Sequence, residues 1–189
     1  MALANKTSNQ VRIIAGVHRG RRLPFADLPG LRPTGDRVRE TLFNWLQPMI
    51  EGARCLDLFA GSGALGLEAA SRGAGEVVML DSAPQVIRQL ESNKRLLGLD
   101  QVHVQRCDAM RWLDQVPSRP FDLVFIDPPF TRDLLAPACH KLAANGWLVR
   151  DARIYLEADA GRPFPDLPAG WVVLKEQRAG QVRFALVRG

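Results

Sequence analysis

The chain is expected to fold as an α/β protein on a doubly wound, mostly parallel, seven-stranded sheet. Three observations predict this. From residue 53 onward, short β-prone apolar runs alternate with helical stretches; that order calls for parallel strands joined by right-handed crossovers. The first run ends in a glycine-rich turn, Ala60-Gly61-Ser62-Gly63, that opens onto a helix. The last two runs are joined near Ala179-Gly180 by too little chain for a crossover helix, so they form a C-terminal antiparallel hairpin.

Each element has its own reason. Residues 11–15 are β-prone, and residues 21–25 can pair with them across Gly16-Val17-His18-Arg19-Gly20. Residues 26–35, with Pro29, Gly30, Pro33 and Gly35, read as a loop. Asp36 is a candidate N-cap, and Val38, Leu42, Trp45, Leu46 and Met49 recur at helical spacing, which predicts an amphipathic helix over about 37–50. Strands follow at 54–59, 76–80, 102–106 and 121–126, with helices around 63–72, 83–97 and 108–115 between them. A helix at 132–145 leads to a strand near 153–158, and β-prone segments at 171–175 and 181–187 close the chain. Trp45, Trp112, Trp147 and Trp171 sit at apolar-periodic positions and read as core. The chain divides into a basic N-terminal arm with a short hairpin, residues 1–35, and the main domain, residues 36–189.

The 189 residues suffice for one well-buried domain, and 47% hydrophobic with 24% charged content is ordinary for a globular protein. No apolar run approaches the roughly 20 residues that span a bilayer, and Met1 to Gln10 lacks the apolar core of a signal peptide. Cys55, Cys107 and Cys139 are far apart and form no CxxC, so buried thiols in the cytoplasm are expected, with no metal site. His18, His103 and His140 lack metal-ligand spacing. The net charge of +5 is concentrated: residues 1–40 carry Lys6, Arg12, Arg19, Arg21, Arg22, Arg32, Arg37 and Arg39 against Asp27, Asp36 and Glu40, and the rest of the chain is neutral. A basic segment on a neutral body suits a polyphosphate partner.

The glycine turn implies a nucleotide-like cofactor. Glycines there let the backbone approach a ligand, and the helix N-terminus favours negative charge. Gly61 to Gly66 reads literally as GxGxxG and Asp81 lies 18 residues beyond Gly63, so a nicotinamide-binding unit has a claim. Two details favour S-adenosylmethionine (SAM) instead. Asp57, four residues before Gly61, suits a ligand that carries an ammonium and repels a pyrophosphate. Carboxylates also recur at the next strand ends, as Asp81, Asp108 and Asp127. In an open parallel sheet these ends converge on one crevice. Asp81 can grip the ribose hydroxyls and Asp108 can accept from the adenine amine, with Phe59, Ser82 and Ala109 beside them. Taken singly, each acid is more often a helix cap, Asp108 above all.

Past the fourth strand the chain reads Asp127-Pro128-Pro129-Phe130. Two prolines remove backbone donors and leave carbonyls free to accept. Together with the Asp127 carboxylate and the Phe130 ring they suit a flat base that bears an exocyclic amine; the plain alternative is a strand-ending turn. Hydrogen bonds from such an amine to Asp127 and the Pro128 carbonyl localise its lone pair for in-line attack on a methyl donor. Phe130 would stack on a base extruded from its helix. No cysteine directly follows a proline, which argues against covalent cytosine C5 chemistry.

Three segments, Arg32-Pro-Thr-Gly-Asp-Arg-Val-Arg-Glu-Thr-Leu-Phe-Asn-Trp-Leu46, Asp57 to Ala69 and Asp127 to Phe130, closely resemble the bacterial 16S ribosomal RNA guanine-N2 methyltransferases of the small subunit. The likeness runs from Arg12 to Val182. It implies a class I methyltransferase fold, SAM as cofactor, and a guanine amine in 16S RNA as acceptor, presented on an assembled or assembling 30S particle. Asp127 to Phe130 then match the amino-methylation motif, and Asp57, Gly61, Gly63, Asp81 and Asp108 the SAM-binding positions. Arg19, Arg21, Arg22, Arg32, Thr34, Arg37 and Arg39 are candidates for RNA contact, and Arg32, Arg37 and Arg39, near a helix start, could alternatively cover the cofactor pocket as a lid. Two departures from the family pattern are Gly35, where relatives often carry threonine, and Phe184, where they often carry tyrosine.

Three other readings stay open on residues alone. Adenine-N6 methylation uses the same chemistry as guanine-N2 methylation. A nicotinamide-dependent oxidoreductase explains GxGxxG but leaves Asp127 to Phe130 without a use. A non-catalytic RNA-binding protein would need only the basic arm. A monomer is expected.

Overall fold

The computed structural model describes residues 9–130 and 132–189; Lys6 and the rest of the first eight residues of the arm lie outside the described residues. Two short strands, β1 (Gln10–Arg12) and β2 (Arg22–Pro24), pair antiparallel. Helix α1 (Asp36–Leu46) continues into a short 3-10 turn, Gln47–Met49. There follow β3 (Arg54–Asp57), α2 (Ala64–Ser71), β4 (Glu76–Asp81), α3 (Pro84–Leu97), β5 (Val102–Arg106), α4 (Ala109–Trp112), β6 (Phe121–Ile126), α5 (Leu135–Ala144), β7 (Leu148–Asp159), β8 (Val172–Ala179) and β9 (Val182–Arg188).

The large sheet has seven strands in the order β5-β4-β3-β6-β7-β9-β8. Strands β3 to β7 are mutually parallel, and β9 runs antiparallel between β7 and β8. The expected α/β class, parallel sheet and terminal hairpin are therefore present. After β5 the chain crosses back to the far side of β3, so β3 and β6 flank the topological switch point. Ligands bind outside the carboxyl ends of strands at such a point.

The sheet is buried on both faces, which is why its central strands read as continuous apolar runs. On one face Cys55, Val77, Met79, Leu123, Phe125 and Tyr155 pack against α1, α2 and α3 through Leu42, Phe43, Leu67 and Leu90. On the other, Leu56, Val78, Leu80, Val124, Ile126 and Leu156 pack against α4 and α5. Val11, Ile13 and Leu23 of the small hairpin belong to the first of these clusters, so the arm is fastened to the main core. Gly16 (φ +81°) makes that fastening possible: a β-carbon there would lie 1.8 Å from the Ser71 carbonyl oxygen. The Val17 amide donates to that same oxygen at 2.8 Å.

Two expectations need correction. Asp36 is not the N-cap of α1: Gly35 holds that position with no side-chain cap, and the Asp36 carboxylate instead pairs with Arg39 at 2.6 Å and Arg12 at 3.0 Å. Partial burial opposes its ionisation, but the bonds and charges of the two arginines outweigh that and hold the carboxyl below its usual range. The strand expected at 153–158 is twelve residues long and begins at Leu148, because Phe121 already pairs with Leu148 before the register shifts. The tryptophans behave as apolar residues: Trp147 is buried and stacks on Trp112 with ring centroids 4.1 Å apart, and Trp45 stacks on Phe184.

Candidate active site

The chain leaves β3 at Asp57, which is buried. Its carboxylate accepts from the Gly66 amide at 3.0 Å and from the Phe59 amide, so the glycine turn wraps around it. Burial pushes the Asp57 carboxyl up to about 7, against the pull of the Gly66 amide; the charge of Asp81 adds to the rise and the Phe59 bond opposes it. Gly63, at φ +80°, ends the turn and starts α2 with no capping side chain. Asp81 ends β4; its carboxylate accepts from the Gly61 amide at 3.0 Å and the Ala83 amide at 2.8 Å. Two carboxylates from adjacent strands therefore set the shape of the turn. Ser82 is exposed just beyond, and Phe59 is partly exposed. Asp108 caps α4, accepting from the Arg111 amide at 2.9 Å, while Ala109 is buried beneath it.

Asp127 follows the last residue of β6. It is partly exposed and accepts a bond from the Thr34 hydroxyl at 3.2 Å. Burial and then the neighbouring Glu157 push its carboxyl well above the ordinary range, Thr34 opposes them, and Asp57 adds a smaller push. Glu157, buried near the end of β7, accepts from the Tyr155 hydroxyl at 2.5 Å; burial raises its carboxyl, and that bond opposes the rise. The same burial, with Glu157 and Asp127 nearby, pushes the Tyr155 hydroxyl up. Pro128 is buried, Pro129 exposed, and the Phe130 ring 39% exposed. Between this loop and residues 158–165 lies a cavity of about 430 Å³, lined by Phe130, Arg132, Pro137, Glu157, Arg162 and Phe164.

The donor set fits SAM. Asp57, Asp81, Asp127 and Glu157 take part in no ion pair among the described residues. What this cluster of acids lacks is positive charge, and an opposite charge close by would favour the ionised forms of Asp57, Asp127 and Glu157, whose carboxyls burial pushes up. SAM brings an ammonium and a sulfonium. No group of three or more metal-ligating side chains occurs among the described residues.

The basic candidates divide. Arg19, Arg21, Arg22, Arg32 and Arg37 are exposed. Arg39 is not available to RNA and that expectation is corrected: it is completely buried, donating to the carbonyls of Thr34 at 3.0 Å and Arg12 at 2.9 Å and pairing with Asp36 and Glu68. Thr34 is also buried and faces Asp127 rather than the surface. Arg39 holds the Thr34 backbone and Thr34 holds Asp127, so the loop before α1 is tied to the acceptor motif.

Sequence reasoning missed Glu157, Tyr155 and Glu68. A signal for Glu157 existed: the strand-end acid rule that picked out Asp57, Asp81, Asp108 and Asp127 applies equally to the strand that follows. Glu68, an acid in the apolar helix Ala-Leu-Gly-Leu-Glu-Ala-Ala-Ser, was a further anomaly. It is fully buried and accepts from the Ile14 and Ala15 amides at 2.8 and 3.0 Å.

Comparison with known proteins gives the family. The family model described as Conserved hypothetical protein 95 matches residues 11–188. The Escherichia coli K12 protein named Ribosomal RNA small subunit methyltransferase D is 49% identical over 179 residues, which is 95% of this chain and 90% of that one. Its namesake in Haemophilus influenzae Rd is 46% identical over 180 residues, covering 94% and 93%. The solved structure of the Escherichia coli protein yhhF superposes with a TM-score of 0.89 at 46% identity, covering 95% of this chain and 98% of that one. The fold is that of the class I SAM-dependent methyltransferases, and the chain belongs to the Conserved hypothetical protein 95 family, as a homologue of the ribosomal RNA small subunit methyltransferases D.

Proposed function

We propose that this protein transfers the methyl group of SAM to the exocyclic N2 amine of a guanine in 16S ribosomal RNA, acting in the cytoplasm as a monomer on the assembled or assembling 30S subunit. One observation carries the reading. Asp57, Asp127 and Glu157 are carboxylates without a cationic partner among the described residues, and they converge on the switch point of the sheet beside the exposed Phe130 ring. The relatives' names supply the RNA substrate.

The glycine turn at Gly61 and Gly63, with Phe59, Asp57 and Asp81, would hold the cofactor, and Ser82, Asp108 and Ala109 border the same side. When bound, SAM supplies an electrophilic methyl on a sulfonium. The rest is done by the chain. The guanine amine is a weak nucleophile because its lone pair is delocalised into the ring. The Asp127 carboxylate and the Pro128 carbonyl accept its N–H groups and turn the lone pair out of conjugation. Phe130 stacks on the extruded base. Positioning and charge do most of the work, and Asp127 is placed to take the proton that the amine sheds. Transfer of labelled methyl to unmodified 30S particles, followed by nucleoside analysis, tests the reading. N2-methylguanosine is expected; N6-methyladenosine would show that the amine belongs to adenine.

Arg19, Arg21 and Arg22, with Arg32 and Arg37, form the RNA-facing surface in this reading. Each phosphate contact releases counterions, so binding weakens with salt. Replacing Arg21 and Arg22 by Ala is expected to weaken 30S binding and reduce the slope of log K against log salt by about 1 to 2. Filter binding across a salt series measures it, and an unchanged slope would remove the hairpin from the interface.

A further inference from the structure

The buried acid of β7 answers a question that Asp127 to Phe130 leave open. An amine-binding pocket serves guanine N2 and adenine N6 alike; the atoms beside the amine are what distinguish the two bases. Guanine carries an N1–H donor next to its N2 amine. Adenine carries a bare N1 acceptor next to its N6 amine. A reader of guanine therefore needs a second acceptor beside the one that holds the amine.

We propose that Glu157 is that second acceptor: its carboxylate receives the N1–H of the target guanine while Asp127 and the Pro128 carbonyl hold the N2 amine. The inference rests on the guanine reading above and names the residue that enforces it.

The geometry is set by the sheet. Ile126 pairs with Leu156 in the parallel β6–β7 ladder, so Asp127 and Glu157 are the next residues on the two strands. Neighbouring strands lie about 4.8 Å apart. Phe125 and Tyr155, opposite each other one step back from that pair, both enter the core on the α1 side. Side chains two residues on point to the same face, which puts Asp127 and Glu157 side by side, close enough for the charge of Glu157 to bear on Asp127. Glu157 lines the cavity that also contains Phe130, the ring on which a base would lie. Hydroxyls prepare both acids. Tyr155 donates to Oε2 of Glu157 and Thr34 to Oδ2 of Asp127. A donor held against each carboxylate opposes the rise that burial causes, the positive charge of a bound SAM would restore the ionised, acceptor-only form, and Oε1 of Glu157 and Oδ1 of Asp127 are left for the base. Two anionic acceptors match an edge that presents N1–H and N2–H donors. They repel the N1 lone pair of adenine, and a site built to receive a hydrogen bond rejects a base that lacks the donor.

The test uses 30S particles reconstituted with either guanine or 2-aminopurine at the methylated position. 2-Aminopurine keeps the N2 amine but has a bare N1. The wild-type protein is expected to methylate guanine at least about tenfold more efficiently, in kcat/KM, than 2-aminopurine. Glu157→Gln can turn an amide N–H toward a bare N1, so it is expected to lower kcat/KM on guanine and shrink the guanine preference by about tenfold or more. Glu157→Asp, which keeps an acceptor but withdraws it, should slow both bases and keep the preference. Equal wild-type rates on the two bases overturn the proposal even if no variant folds, as does a Gln variant that slows both equally. Either result leaves the methyltransferase reading intact. Absence of N2-methylguanosine from the wild-type reaction overturns the guanine reading, and the role of Glu157 with it.

Discussion

Asp127→Asn is expected to reduce methyl transfer to 30S particles by about 100- to 1,000-fold, the usual cost of removing one preorganised electrostatic contact to a reacting group, while the protein melts at the same or a higher temperature. The amide keeps the shape of the side chain, and the Thr34 hydroxyl can stay within bonding distance by rotating to accept. What disappears is the charge that polarises the amine and takes its proton. The stability half follows from linkage. Burial, Glu157 and Asp57 raise the folded-state carboxyl of Asp127 above its unfolded value. An acid raised in this way costs the fold nothing below the ordinary carboxylate range and progressively more as pH climbs from there toward its raised value. The Asn variant should therefore gain on the wild type as pH rises above the ordinary carboxylate range and lose that gain in acid. Melting curves as a function of pH and calorimetric titration with SAM separate the two effects. Full activity in the Asn variant would remove Asp127 from the reaction. A variant that melts lower at pH 8 would make any loss of activity structural.

The fold was legible because each central strand is buried on both faces and so announces itself as an apolar run, as Phe121 to Ile126 does. Strand-end acids were legible because an aspartate after such a run has no business in a core. The reading failed where partnership decides the outcome. Arg39 and Arg37 look alike in the sequence, two residues apart on one helix, yet helical geometry sends them to different faces: Arg39 points inward at Glu68, on a different helix, and Arg37 faces solvent. Only the packing of α1 on α2 tells them apart. Thr34 was likewise grouped with the surface arginines because its partner, Asp127, is 93 residues away. The strand-end rule applied once more offers both Glu157 and Asp159, and only the burial of the first and the exposure of the second separate them.

The buried Arg39 leads to the second large effect. Arg39→Ala is expected to destabilise the protein by about 3 to 5 kcal/mol, the cost of breaking a buried ion pair from one side, which for a chain of this size lowers the melting temperature by roughly 10 °C. Both Arg39 and Glu68 are fully buried. Removing the guanidinium strands Glu68 with one cationic partner, Arg72, at 2.6 Å, and leaves the carbonyls of Thr34 and Arg12 without their donor. Lysine is a poor substitute, because one ammonium cannot present a planar fork to four acceptors on three segments. Arg39→Met combined with Glu68→Gln should recover part of the loss by removing the stranded charge, and the double-mutant cycle measures the coupling. Activity should also fall, since Thr34 loses the anchor that aims it at Asp127. Had Arg39 been an RNA contact, its removal would have spared the melting temperature and weakened only 30S binding. An Arg39→Ala protein that melts with the wild type would therefore return this residue to the RNA surface and leave Glu68 to be held by Arg72 and the β1–β2 hairpin alone.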